Sequence, residues 1–358
     1  MTQTISIALV GLGNVGRRVI QLLLDKEADL RERYGLSFRV VAAADSSGAA
    51  VAAGEGAPKF GMGRKSEGLD LREILRAKES RQGVATLPRR GRAGMSAREM
   101  LERVEAGALL DMSPTNLADG APGLPAVEAA IERGMHVVLA NKGPLVLAYP
   151  KLAEAARKRQ TRLAFSAAVA GGLPTVNLGR RDLAGSRIER IEGVLNGTTN
   201  FILTSMAESG MSYADALAEA QARGVAEVNP ALDVEGYDAA VKLLILAHAA
   251  LDYHVTLDEV ERVGITGVTM DDLTRARAGG KAIKLLCLAE REGERWRLSV
   301  KPAALPLAHP LAQLNPHQMG IIYHSDINGI ITAAIQEENP MPTAAAVLRD
   351  LINLYWPA

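Results

Sequence analysis

The chain has 358 residues, with 41 Lys+Arg against 41 Asp+Glu and 48% hydrophobic residues. At roughly 150 residues per domain this length holds two domains with a sizeable core, and the balanced charge gives no general pull towards nucleic acid or an anionic membrane. One cysteine excludes an intrachain disulfide and a Cys-rich zinc site, no apolar run approaches the ~20 residues of a membrane span, and the N-terminus lacks a signal peptide's basic region. The expectation is a soluble, cytoplasmic chain whose glycine-rich, aromatic-poor composition leans towards an α/β enzyme.

Ile5 to Val10 reads as a strand, followed by Gly11-Leu-Gly13-Asn14-Val15-Gly16 and a helical stretch to Arg33. Strand, glycine turn and helix in this order form a dinucleotide-binding signature. Gly11 permits the tight turn, Gly13 lets the backbone approach a pyrophosphate, and Gly16 lets helix pack on strand. The free N–H groups at the helix start face the phosphates. A second strand, Phe38 to Ala44, ends in Asp45, the position of an acid that bonds the adenine ribose. Ser46 and Ser47 leave NAD against NADP open, and Arg64 and Lys65 are candidates for a 2′-phosphate.

Residues 48–95 read as an irregular excursion with one short helix near Leu71–Ala77. Strands at 108–112 and 135–140, separated by a helix to Arg133, continue a parallel sheet. Ligands of such sheets bind beyond the carboxyl ends of the strands, which places Ser113, Thr115, Asn116, Asn141 and Lys142 there. From about residue 145 the pattern becomes α+β: a small-residue turn at 167–174, a strand at 187–195, Asn196-Gly-Thr198-Thr-Asn200, two helices, and a hairpin at 281–305.

Tyr237 to Leu251 is apolar nearly all round, which marks a buried helix, yet it carries Asp238 and Lys242 four residues apart on one face. Buried charges are expensive unless paired or used. Glu227 and Asp233 precede the helix, so four ionisable groups are expected to converge. That set suits a small polar, cationic substrate group, with burial lowering the Lys242 pKa towards neutrality for proton transfer; the plain alternative is a structural ion pair. His309, His317 and His324, with Asp326 near, lack a compact metal spacing and read as hydrogen-bonded histidines. Cys287, inside a strand-like run, reads as a core residue.

The segments ALVGLGNVGRRV, VVAAADSSG, LDMSPTN, VVLANKGPL, AAVAGGLPTVN, VLNGTTNFIL, ARGVAEVNPALDVEGYDAAVKLLILA, IKLLCLAEREG and HPLA together resemble the homoserine dehydrogenase family over nearly the whole chain, the run 222–247 most specifically. The resemblance implies a Rossmann-type doubly wound parallel sheet plus an α+β catalytic and dimerisation domain. Expected boundaries are 1–141 for the NAD(P)-binding domain, completed by about 335–358, with 142–149 and 287–334 for dimerisation and 150–286 for catalysis. It further implies reversible reduction of L-aspartate 4-semialdehyde to L-homoserine with NAD(P)H, in a homodimer serving amino-acid biosynthesis.

By the same resemblance Lys242, Lys142 and Asp238 are catalytic. Glu227, Asp233, Asn196 and Thr198 hold the substrate. Gly11, Gly13, Asn14, Val15, Gly16, Asp45, Ser46, Ser113, Lys142 and Gly224 serve the cofactor. Ser166 stands where many members carry Glu, which weighs against the sodium ion often held near Val169 and leaves the metal content open. Gln336 to Pro342 replaces a glycine-rich loop with an acidic one, and His317 and His324 are foreign to the family pattern. Two other readings therefore stay open: a related dehydrogenase for another small alcohol or aldehyde, and a non-catalytic dinucleotide sensor. The chain ends at Ala358 without room for an appended regulatory domain, so threonine feedback through one is not expected.

Overall fold

The computed structural model describes residues 2–53 and 67–356. Its first strand, β1 (Gln3–Val10), is buried from Ile7 onward on both faces, as a central strand of a parallel sheet must be. The expected long first helix is two, α1 (Asn14–Asp25) and α2 (Glu27–Tyr34), because Lys26 leaves helical geometry between them. Then follow β2 (Leu36–Asp45), β3 (Gly48–Val51), α3 (Leu71–Glu79), β4 (Gly91–Ala93), α4 (Ala97–Leu101), β5 (Ala108–Asp111), α5 (Gly123–Glu132), β6 (His136–Leu139), α6 (Gly143–Lys158) and β7 (Leu163–Ala164).

The seven strands form one sheet in the order β4-β3-β2-β1-β5-β6-β7. β2 to β7 through β1 run parallel, whereas β3 and β4 join antiparallel. Residues 48–95 are thus less irregular than expected: Ser46 and Ser47 turn the chain straight back from β2 into β3, and Asp45 pairs with Gly48. Arg64 and Lys65 lie outside the described residues.

The second unit holds α7 (Thr175–Asn177), β8 (Ile188–Val194), α8 (Gly197–Ser209), α9 (Tyr213–Ala222), α10 (Ala231–Val234), α11 (Tyr237–Ala250), β9 (Glu261–Arg262), α12 (Met270–Ala278), β10 (Lys281–Glu292), β11 (Arg295–Pro306), β12 (Gln318–Ser325) and β13 (Gly329–Gln336). Its sheet has the order β13-β12-β8-β10-β11-β9 and is antiparallel except where β9 meets β11. Val194, Leu286, Leu305 and Ile322 pack with Leu311, Ala312 and Leu314 in one cluster. The chain then returns to the first unit as α13 (Met341–Tyr355), which packs against α1.

The division falls later than residue 141. The first unit runs to Ala168 and resumes at Pro340, and the second spans Val169–Asn339. The shift has a simple cause: β7 pairs with β6, and α6, which includes the 142–149 segment, packs on α5. Among the described residues no helix is long and apolar enough to cross a membrane.

Candidate active site

The turn after β1 is shaped by close approach. Gly11 has φ +85°, and a Cβ there would lie 2.3 Å from the Ser113 nitrogen; a Cβ on Gly16 would lie 2.2 Å from the Gly11 carbonyl oxygen. Around Gly13, by contrast, nothing lies within 4 Å of a Cβ, and Gly13 and Asn14 are exposed. α1 therefore begins with open space and no side-chain cap on its first N–H groups. Open space beside uncapped helix N–H groups is what a diphosphate requires, and Val15 lies in the first turn.

Asp45 does not offer the ribose acceptor expected of it. Its Oδ1 accepts from the Ser47 nitrogen at 2.9 Å and hydroxyl at 2.5 Å, and its Oδ2 from Lys78 Nζ at 2.7 Å and the Val84 nitrogen at 3.1 Å. Burial alone would raise its pKa, but Lys78, Ser47 and Val84 together hold it below the ordinary aspartate value. Ser46 is exposed on the turn.

Beyond β5 and β6 lies a second inward-facing knot. Buried Asp111 accepts from the Ser113 nitrogen at 2.9 Å, the Ser113 hydroxyl at 2.6 Å and Asn141 Nδ2 at 3.2 Å. Burial raises its pKa against these bonds. Asn141 Oδ1 accepts from the Gly143 nitrogen, so the knot fixes Lys142 at the start of α6, where its nitrogen meets the Thr115 hydroxyl at 3.4 Å. Asp111 was not singled out by sequence; a strand-end acid followed two residues later by Ser is the signal that could have found it. The Ser113 hydroxyl and nitrogen face this knot.

In the second unit, Asn196 caps α8 by accepting from the Thr199 nitrogen at 2.9 Å. That bond points its amide N–H groups at two acids, Asp233 Oδ1 at 2.6 Å and Asp238 Oδ2 at 2.9 Å. Lys242, 12% exposed, donates to Asp238 Oδ2 at 2.7 Å and to the Leu195 carbonyl at 2.7 Å. The Thr198 hydroxyl donates to the Val225 carbonyl. Burial pulls the Lys242 pKa down, but Asp238, by charge and hydrogen bond, and then Asp233 outweigh it, so the ammonium sits above the ordinary lysine value. The expected descent towards neutrality is therefore corrected. Asp233 moves up, through burial first and the charge of Asp238 second.

Three ionisable groups converge, where four were expected: Glu227 is exposed on its loop, with no described bond from its side chain to the other three. Gly224 has φ +71°, the left-handed turn that ends α9. Cys287 is fully buried, its thiol pushed up to about 12 by burial, as suits a core residue. Ser166 donates through nitrogen and hydroxyl to Asp350, and the Val169 carbonyl accepts from the Thr175 hydroxyl. In the acidic loop, Glu337 accepts from the Gly172 nitrogen at 3.1 Å.

The histidines separate. His309 and His324 both reach buried Glu192, at 3.2 and 2.8 Å, with Arg190 at 3.2 Å. His317 lies instead beside Phe201, the rings tilted at 55°, and Asp326 accepts from the Arg187 nitrogen. His309 Nδ1 accepts from the Leu311 nitrogen, so its Nε2 carries the hydrogen aimed at Glu192, an arrangement for hydrogen bonding rather than metal ligation. Among the described residues no group of three or more His, Cys, Asp or Glu could hold a metal ion.

A glycine turn before an uncapped helix in one unit and a buried acid–lysine set in the other suit an oxidoreductase of the dinucleotide-dependent kind. A family model described as homoserine dehydrogenase matches residues 174–352. The homoserine dehydrogenase of Methanocaldococcus jannaschii is 35% identical over 349 residues, covering 98% of each chain. An NAD(+)-dependent homoserine dehydrogenase of Pseudomonas canavaninivorans is 33% identical, over 98% of this chain and 96% of that one. Among solved structures, a hyperthermophilic archaeal homoserine dehydrogenase in complex with NADPH shares 26% identity and a TM-score of 0.81, over 98% of this chain and 97% of that one. The chain belongs to the homoserine dehydrogenase family.

Proposed function

We propose that the chain catalyses the reversible NAD(P)-dependent reduction of L-aspartate 4-semialdehyde to L-homoserine, in the cytoplasm and as a homodimer. The observation that carries this is the Lys242 ammonium, anchored by Asp238 and the Leu195 carbonyl with two of its three protons committed. The third is left for the aldehyde oxygen, which gathers negative charge as hydride adds to its carbon. When bound, the nicotinamide supplies or accepts that hydride.

A pKa above the ordinary lysine value keeps Lys242 protonated at neutral pH, the form that reduction requires of a proton donor. Oxidation of homoserine needs the neutral amine, so its rate rises as the medium becomes alkaline. Asp233, oriented by Asn196 and Thr198, takes the substrate ammonium. Residues 11–16 take the diphosphate, and Ser46, Ser113, Lys142 and Gly224 serve the rest of the cofactor. No step uses a metal ion.

The test is an assay with homoserine and with aspartate semialdehyde, each with NAD(H) and NADP(H). Turnover of both substrates is expected. Absence of turnover in all combinations, while small alcohols or aldehydes of other kinds react, overturns the reading.

A further inference from the structure

Asp45 occupies the strand-end position from which an acid normally selects the adenine ribose. An ionised carboxylate offers about four lone-pair sites. All four are filled from within the fold, two by Ser47 on Oδ1 and two by Lys78 and Val84 on Oδ2. The side chain is only 6% exposed and that of Lys78 19%. The knot is built closely: a Cβ on Gly83 would lie 2.0 Å from the Ser47 hydroxyl and 3.2 Å from Asp45 Oδ1, and that hydroxyl also accepts from the Ala85 nitrogen. Turn, helix α3 and the short helical turn Val84–Thr86 thus converge on one carboxylate.

Two consequences follow. The carboxylate has no site left for a ribose diol, and the adjoining ammonium cancels the charge that would repel a 2′-phosphate. Building on the dinucleotide reading above, we infer that Lys78 is a specificity-determining residue: by holding Asp45 it makes the adenosine end accept NADP(H) as well as NAD(H). Ser46, exposed beside the pair, brings no charge of its own. Release of Asp45 would restore both a diol acceptor and a negative charge, and so turn the protein towards NAD(H).

Titrating NADPH and NADH fluorescence against the protein reads this without any turnover. The wild type should bind both, with dissociation constants within about tenfold of each other. Lys78→Met should raise the ratio of the NADPH constant to the NADH constant by about tenfold, the scale of one unscreened charge a few ångströms away. Lys78→Arg should keep the wild-type ratio. Asp45→Asn, which leaves the ammonium unopposed, should lower it, and this variant decides the matter if Lys78→Met does not fold. A wild type that binds NADH but not NADPH, or a ratio unmoved by the substitutions, overturns the inference while leaving the dinucleotide reading intact. Binding of neither nucleotide overturns both.

Discussion

The two units solve opposite problems. The first presents backbone: glycines at 11, 13 and 16 sit before a helix whose first N–H groups carry no side-chain cap. Its acids, Asp45 and Asp111, are turned inward and serve the fold. The second gathers charge with side chains: Asn196, Asp233, Asp238 and Lys242 form one hydrogen-bonded set around the start of α11. A binding cradle needs space and dipoles, whereas proton transfer needs a titratable group whose neighbours set its charge. The two functions should therefore separate under mutation.

The sharpest break is Lys242→Ala. Turnover should fall by about 10²–10⁴-fold, the usual worth of a positioned proton donor. NADPH binding should stay near wild type, because no residue of the cradle is touched. A variant that retains most of its turnover would reduce the Asp238–Lys242 pair to a structural ion pair.

Gly16→Ala is the converse. Its new Cβ would fall 2.2 Å from the Gly11 carbonyl oxygen, so α1 must move off β1. NADPH binding should weaken by at least about tenfold, or about 1.4 kcal/mol. An unchanged dissociation constant would mean that the cradle tolerates displacement of its helix.

What the sequence made legible follows the same division. The glycine turn could be read because a left-handed φ and two close backbone approaches dictate residue type at fixed spacing. Asp238 and Lys242 could be paired because a helix returns to the same face every four residues. The orientation of Asp45 could not be read: its strand end was visible, but Lys78 and Val84 reach it from 33 and 39 residues further on. Glu227 was grouped with the acids by proximity in sequence, and the loop carries it into solvent. The sign of the Lys242 shift escaped for a related reason, since burial was apparent from composition while the strength of its two carboxylate neighbours is a matter of distance.

A smaller effect tests whether the charges of the second unit serve substrate or fold. The Asp233 pKa is raised, so at neutral pH its ionised form destabilises the native state; its own contribution to stability is full below the ordinary aspartate value and is lost as pH rises through the folded value. Asp233→Asn should leave thermal stability equal or higher. The KM for homoserine should nevertheless rise about tenfold, the scale of one hydrogen bond between charged groups. For the wild type, KM should rise as acidification protonates Asp233. A lower melting temperature with unchanged KM would make Asp233 a structural acid like Asp111.

Lys284 gives the finest test, because it is a buried charge in the same unit with no carboxylate among its hydrogen-bond partners. Its ammonium donates to Asn200 Oδ1 and the Thr204 hydroxyl at 2.8 Å and to the Leu314 carbonyl at 2.9 Å, joining α8 to the segment before β12. Burial pushes it down to about 8 from 10.5. Between those values the unfolded chain keeps a proton that the native state has released, so stability should rise with pH across this window, by up to roughly 3 kcal/mol. Lys284→Met should abolish that rise relative to wild type. At neutral pH its stability should change little, because losing three hydrogen bonds opposes losing the burial penalty. Turnover should remain near wild type, in contrast to Lys242→Ala. Chemical denaturation of both proteins from pH 7 to 10 measures the difference. If the two curves stay parallel, neutral acceptors suffice to hold a lysine charged in this core, and the carboxylates around Lys242 are more than the fold alone requires.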